Sequence, residues 1–183
     1  KQQPTQMGTI RLQRAAAQIR LLLGEAQAEG HPARSIEARL MNYAASTALD
    51  ESYPALGLTL AQSSYRPVDS SVSYEEQHYL STADYFYSYE NNWEQAEDSR
   101  NTYLLLKVHF EGIEQAYYYR VPLYYQSLTS QLKRNHAYLI KVNIHEFGTV
   151  SDTRPLDLEG EIELLPFHGI SISAHLDGES YLF

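Results

Sequence analysis

The sequence predicts an all-β protein built as a β-sandwich, and three observations carry that prediction. Short apolar runs with two-residue alternation recur along the chain, separated by turn-forming residues. Tyrosine supplies 16 of 183 residues against 5 Phe and 1 Trp. It suits half-exposed sheet faces, because its ring is apolar and its hydroxyl can stay wet. Gly and Pro fall where strands have to stop or bend, as at Gly112, Pro122 and Gly160.

The opening KQQPTQ reads as a loose tail. The next stretch, IRLQRAAAQIRLLLGEAQAEG, carries two signals. Its Ala, Gln, Glu, Leu and Arg favour a helix, yet Ala15, Ala17, Ile19, Leu21 and Leu23 alternate as a strand would. Local reasoning leaves both open. GHPARS is a turn, SIEARLMNYAAS a second apolar segment, and ALGLTLAQ a third. From Ser63 to Glu76 the chain is polar and aperiodic, which predicts a long loop or linker and a domain boundary near Gln77.

Beyond it the strand signal strengthens. YLSTADYFYSYEN is followed by a polar loop, and TYLLLKVHFEG is a strand that stops at Gly112. In QAYYYRVPLYY, Tyr117, Tyr119, Val121 and Leu123 face one way, with Tyr118, Arg120 and Tyr124 opposite. Pro122 cannot donate to a ladder, so that strand lies at an edge or is bulged there. Lys133, Arg134, Asn135 and His136 form a polar turn into a strand with Tyr138, Ile140, Val142 and Ile144 on one face. FGTVSDTRP is a turn-rich connection, LDLEGEIELLPF a strand broken at Gly160, and GISISAHL a last strand.

Composition narrows the function. Hydrophobic residues make up 43%, which suits a globular protein and is too rich for a disordered one. A net charge of -9 with scattered Lys and Arg would repel a phosphate backbone, which argues against nucleic acid as a partner. The chain has no cysteine, which excludes disulfides, thiolate catalysis and Cys-ligated zinc. No apolar run approaches the roughly 18 residues a membrane span needs. The chain opens at Lys1 without a signal peptide, and is read as a processed or truncated form.

No catalytic constellation, metal site or cofactor site emerges. His136 and His145 lie on opposite faces of one strand, about 30 Å apart if it is straight. His109 and His175 belong to no recognised ligand spacing. GxSxG is absent, and Glu75–Glu76 and Glu159–Glu161 read as solvated faces. The Tyr clusters at 85–89 and 117–125 leave one alternative, an aromatic platform for sugars. Tyr117, Tyr118, Tyr119, Tyr124 and Tyr125 are its candidate contacts.

Five pieces in order, YFYSYEN, TYLLLKVHFEG, YYYRVPLYY, LKRNHAYLIKVNIHEFG and IELLPF, resemble the fimbrillin-type subunits of Bacteroidales type V pili over residues 85–167. The motif residues are Glu90, Asn91, Arg120, Pro122, Arg134, Asn135, Tyr138 and Gly148. They are read as structural. Asn135 suits a tight turn, since Asn tolerates positive φ. The resemblance makes residues 10–23 a strand, although Gln18 stands where a basic residue is usual and Phe167 where Trp is frequent.

The resemblance implies transthyretin-like Greek-key β-sandwich domains: an incomplete N-terminal domain with linker over 1–76, and a second domain over 77–183. It implies a non-enzymatic structural subunit, exported as a lipoprotein precursor and displayed in an adhesive fimbrium attached to the outer membrane. Its partners would be neighbouring subunits, in a homopolymer or a mixed assembly, and surface ligands of host or bacterium. Stalk, tip and anchor roles are all open. Proteolytic maturation would open a groove that a neighbour's strand fills. Residues 169–183 are the candidate donor, with Ile170, Ile172, Ala174 and Leu176 alternating. Equally, those residues could form the last strand of the chain's own sandwich. The other class of function is a surface lipoprotein module that binds glycans.

Overall fold

A computed structural model describes residues 10–11, 15–47, 59–68, 85–93, 99–123, 131–166 and 171–172. Every regular element among them is a strand, so the all-β prediction holds. The long strands are β2 (Ala16–Ala28), β3 (His31–Met41), β7 (Tyr85–Tyr89), β9 (Tyr103–Phe110), β10 (Ala116–Pro122), β12 (His136–Ile144) and β14 (Glu161–Pro166). The short ones are β1 (Ile10–Arg11), β4 (Tyr43–Ala44), β5 (Leu60–Ala61), β6 (Arg66–Pro67), β8 (Asn91–Asn92), β11 (Gln131–Leu132), β13 (Leu156–Asp157) and β15 (Ser171–Ile172), of which β1 pairs β15 and β8 pairs β11 apart from the main sheet.

The strand order β14-β12-β2-β7-β4-β5 makes one layer and β13-β10-β9-β3-β6 the other. They join where β2 and β3 meet as a hairpin, through the pairs Gln27↔Pro32 and Ala28↔His31 only. Its turn residues Glu29 and Gly30 both have positive φ, 50° and 85°, the hand that matches strand twist. Beyond the turn β2 and β3 part into different layers. β12 runs parallel to β2, while β7 runs antiparallel to its other edge.

That position settles the conflict over residues 15–28. β2 lies between two partners, and its Ala17, Ile19, Leu21 and Leu23 enter the core. Two ladders and a buried face outweigh helix propensity that sums to only a few kcal/mol. Facing them are Ile36, Ala38 and Leu40 of β3 and Leu104, Leu106, Val108 and Phe110 of β9. Tyr138, Ile140, Val142 and Ile144 of β12 complete the set, as their alternation predicts. Each such Leu or Ile contributes about 1.5–3 kcal/mol relative to exposure, as an upper estimate.

Gln77 lies outside the described residues. Strands from either side of it hydrogen-bond into the same layers and contribute to one core, with β2 beside β7 and β12, and β3 beside β9. Pro122 ends β10, opposite Tyr103 of β9. On the other edge of β10 the ladder with β13 stops at Arg120↔Asp157, so no partner needs the donor that Pro122 lacks.

Candidate functional site

Five of the motif residues, Glu90, Asn91, Arg134, Asn135 and Tyr138, gather around the turn that leads into β12. Asn135 has φ of 58°, the left-handed turn its position predicts, and its N–H donates to Ala16 O at 3.1 Å. Arg134 reaches from that turn to Glu90, with Nε 2.9 Å from Oε2 and an Nη 2.7 Å from Oε1. The fork is bidentate, and Arg134 also donates to Thr47 Oγ1 at 3.1 Å. Lys133 N–H donates to the Tyr138 hydroxyl at 2.8 Å, and His136 Nδ1–H to Arg134 O at 2.7 Å. The stretch from Lys133 to His136, which leads into β12, is thus bonded at every residue, and it fixes where β12 begins.

Beside it, Asn91 is 1% exposed and holds the loop before β9. Its Nδ2 donates to Arg100 O at 2.8 Å, Thr102 Oγ1 at 2.9 Å and Asn42 O at 3.3 Å. Thr102 Oγ1 donates in turn to Asn42 O at 2.8 Å. Asn42, itself at φ 53°, donates to Ser99 O at 2.8 Å and Asn101 O at 3.1 Å. Sequence reading found Asn91 and missed Asn42. The only signal was an Asn directly after an apolar strand, a position that favours a left-handed turn.

Gly148 and the Tyr-rich strand form a second lock. Thr149 and Tyr118 exchange backbone hydrogen bonds at 2.7 and 3.3 Å. The Tyr119 hydroxyl donates to Glu146 O at 2.7 Å and accepts from Gly148 N–H at 2.8 Å. The Phe147 ring stacks on Tyr117 with centroids 4.7 Å apart.

This geometry divides the proposed sugar contacts. Tyr119 is fully buried and cannot touch a ligand; it was expected on a platform but is core. Tyr117 and Tyr118 are half-buried, with Tyr117 engaged by Phe147. Tyr124 and Tyr125 lie outside the described residues. Burial pushes the Tyr119 phenol up to about 12, against the Gly148 N–H bond that favours its ionised form. Tyr138 is raised for the same first reason. A raised folded value means that the unfolded state loses its proton first, near 10. Stability is therefore whole below pH 10 and falls as pH rises toward 12, by about 1–3 kcal/mol for Tyr119. Tyrosinate absorbance at 295 nm should show these two rings ionising only as the protein unfolds. Free ionisation of all tyrosines below pH 11 in the folded state would contradict it.

Of the candidate donor strand, Ile172 pairs in the backbone with Ile10, and Ser171 with Arg11. Among the described residues β1 and β15 pair only with each other, apart from both layers. Ile170, Ala174 and Leu176 lie outside the described residues, as does His175. Arg120 stacks over Tyr103 at 4.8 Å and lies 3.7 Å from Asp157. Glu159 and Glu161 line a polar cleft of about 280 Å³ with Lys141, Asn143 and His145. Among the described residues no cluster of three metal-ligating side chains forms, and no helix is long and apolar enough to cross a membrane.

No protein-family model matches the chain. The major fimbrium tip subunit FimD of Porphyromonas gingivalis is 25% identical over 187 residues, covering 97% of this chain and 26% of FimD. The chain thus spans about a quarter of the length of the curated relatives it matches. A candidate cell adhesion protein of Parabacteroides distasonis superposes with TM-score 0.54 at 13% identity, covering 85% of this chain and 52% of that one. One from Bacteroides eggerthii gives 0.51 at 14%, covering 85% and 56%. At those identities the structures speak for the fold alone. The relative in sequence supports the fimbrillin-type resemblance carried by the motifs.

Proposed function

We propose that this chain is a non-enzymatic part of a cell-surface adhesive fimbrium, contributing its sandwich to a subunit that joins its neighbours by strand exchange. The observation that carries the reading is a similarity to FimD that runs across 97% of the chain. The motif residues agree with it: Glu90, Asn91, Arg134, Asn135, Tyr138 and Gly148 hold turns and strand ends, and none converges on a reacting centre.

Strand exchange is the mode of assembly we favour, with residues 169–183 as donor. An incoming strand supplies backbone hydrogen bonds and apolar side chains together. Among the described residues, Ser171 and Ile172 pair with Arg11 and Ile10 and with no strand of either layer, which suits a segment that can pair elsewhere. The place of display would be the outer surface of the cell, within a fimbrium attached to the outer membrane after removal of a lipoprotein leader.

Treatment of the longer precursor with a trypsin-like protease is expected to yield a ladder of oligomers on a gel run without boiling. A precursor lacking residues 170–183 should give none, with Trp93 fluorescence unchanged because that ring is 2% exposed in the core. A cleaved, intact protein that stays monomeric would overturn assembly by this chain. Unfolding of the truncated form would place Ile170 to Leu176 in the chain's own core.

A further inference from the structure

On β7 the side chains alternate cleanly: Phe86 and Ser88 are buried, while Tyr85, Tyr87 and Tyr89 share the outer face. Successive rings on that face are about 7 Å apart along the strand. Tyr87 is 48% exposed, one of two large hydrophobic side chains that open among the described residues. The ladder neighbours of Tyr89 are alanines on both sides, Ala16 and Ala44. Such small side chains leave space, and a cleft of about 290 Å³ opens there, lined by Ala16, Tyr43, Ala44, Ala45, Tyr87 and Tyr89 together with Ser88. That volume is near the small end of ligand sites, which run from about 300 to 1,000 Å³.

Polar groups stand at the ring edges. Gln18 Nε2 donates to the Tyr87 hydroxyl at 3.2 Å, leaving that hydroxyl's own proton for another partner. Arg20 is 3% exposed and spends its charge on Tyr85, with its guanidinium 5.1 Å from the ring centroid and an Nη 3.3 Å from the hydroxyl. Glu90, next along the chain, is held by Arg134. The cleft therefore offers apolar ring faces and phenol and amide hydrogen bonds, and its described lining residues carry no charge.

We propose that the outer face of β7, with its cleft at Ala16 and Ala44–Ala45, binds a neutral saccharide of one or two rings. Sugar rings present patches of C–H on one face and hydroxyls around the rim, which is the complement of a Tyr face edged by amide and phenol. An acidic saccharide would find no cation among the described lining residues, and it would meet a chain of net charge -9. A wholly apolar ligand would leave the edge groups unpaired. The Tyr row offers a ligand role of the kind expected at Tyr117 to Tyr125, and it deepens the adhesive reading without depending on assembly.

The test uses the monomeric chain on immobilised oligosaccharides ending in glucose, galactose, mannose or fucose, with sialylated and sulfated forms beside them. Retention on one or more neutral probes is expected, and titration with the free sugar should give saturable binding. Tyr87→Ala should weaken it about tenfold, the scale of one aromatic contact. Ala45→Phe, at an exposed position, should block the cleft while thermal unfolding stays unchanged. Gln18→Ala should have a smaller effect, and Tyr118→Ala none. Retention of acidic probes only, of none, or retention indifferent to Tyr87→Ala and Ala45→Phe would overturn the assignment. An oligomer ladder without saccharide retention overturns this site and leaves assembly standing; retention without a ladder does the reverse.

Discussion

Replacing Asn91 with Asp is expected to lower stability by about 3–5 kcal/mol at neutral pH, although the two side chains have nearly the same shape. The Asn91 amide nitrogen faces the carbonyl oxygens of Arg100 at 2.8 Å and Asn42 at 3.3 Å, and the hydroxyl of Thr102 at 2.9 Å. A carboxylate there brings oxygen against the two carbonyl oxygens and carries charge at 1% exposure, with the Thr102 hydroxyl, now bonded to Asn42 O, the one described group beside it able to turn and donate. Its pKa in the folded variant must lie above the ordinary carboxylate range, since both burial and the two carbonyls oppose ionisation. Folded protein then holds a proton that unfolded protein has lost, so the variant's stability falls as pH rises through that range and stays low above it. Below it the protonated acid can donate one bond, and part of the loss returns. Urea melts at pH 4 and pH 7, followed by Trp93 fluorescence, give both numbers. A variant within 1 kcal/mol of the parent at both pH values would remove Asn91 from any structural role.

The motifs were legible because each is a local device with a fixed chemistry. An Asn before a strand predicts a left-handed turn, and Asn135 makes one. Alternation in β12 sends Tyr138, Ile140, Val142 and Ile144 inward. What sequence could not show was the pairing between devices. Glu90 and Arg134 are 44 positions apart, and nothing in either neighbourhood requires the other. Asn42 was invisible for the same reason: its acceptors at Ser99 and Asn101 come from the far end of another loop.

Residues 15–28 show why local reasoning left helix and strand both open. Their helix propensity is genuine, but a strand between β12 and β7 is decided by partners far away in sequence, Ala137 opposite Gln18 on one edge and Tyr89 opposite Ala16 on the other. Of the sugar contacts within the described residues, Tyr119 is core, and alternation sets Tyr118 on the face opposite Tyr117, so these do not form one platform. The row at Tyr85, Tyr87 and Tyr89 obeys that rule and lies on one face. The exposure of Tyr87 against the burial of Tyr119 depends on which layer face is covered, and that is a property of the assembled sandwich.

Gly148→Ala is expected to cost about 2–4 kcal/mol, and its comparison with Gly112 shows why. A Cβ at Gly148 would lie 2.6 Å from Tyr118 O and 2.9 Å from Tyr119 Cζ. Neither neighbour can yield freely: the oxygen is bonded to Thr149 N–H, and the ring is fully buried with its hydroxyl in two bonds. The loop after β12 must therefore lift from β10, stretching the bonds that hold Tyr119. The lifted loop should also let Tyr119 ionise at lower pH than in the parent. Gly112 is the opposite case, with φ of 75°, and a Cβ there would meet nothing nearer than His31 Nδ1 at 4.0 Å. Its requirement is conformational, so Gly112→Asn should cost under about 1 kcal/mol, while Gly148→Asn should be at least as damaging as alanine. Thermal unfolding of these three variants decides between space and dihedral as the reason for each glycine. Equal losses at both positions would mean that the loop moves easily off β10, and that the glycine of this motif serves a turn instead of a contact.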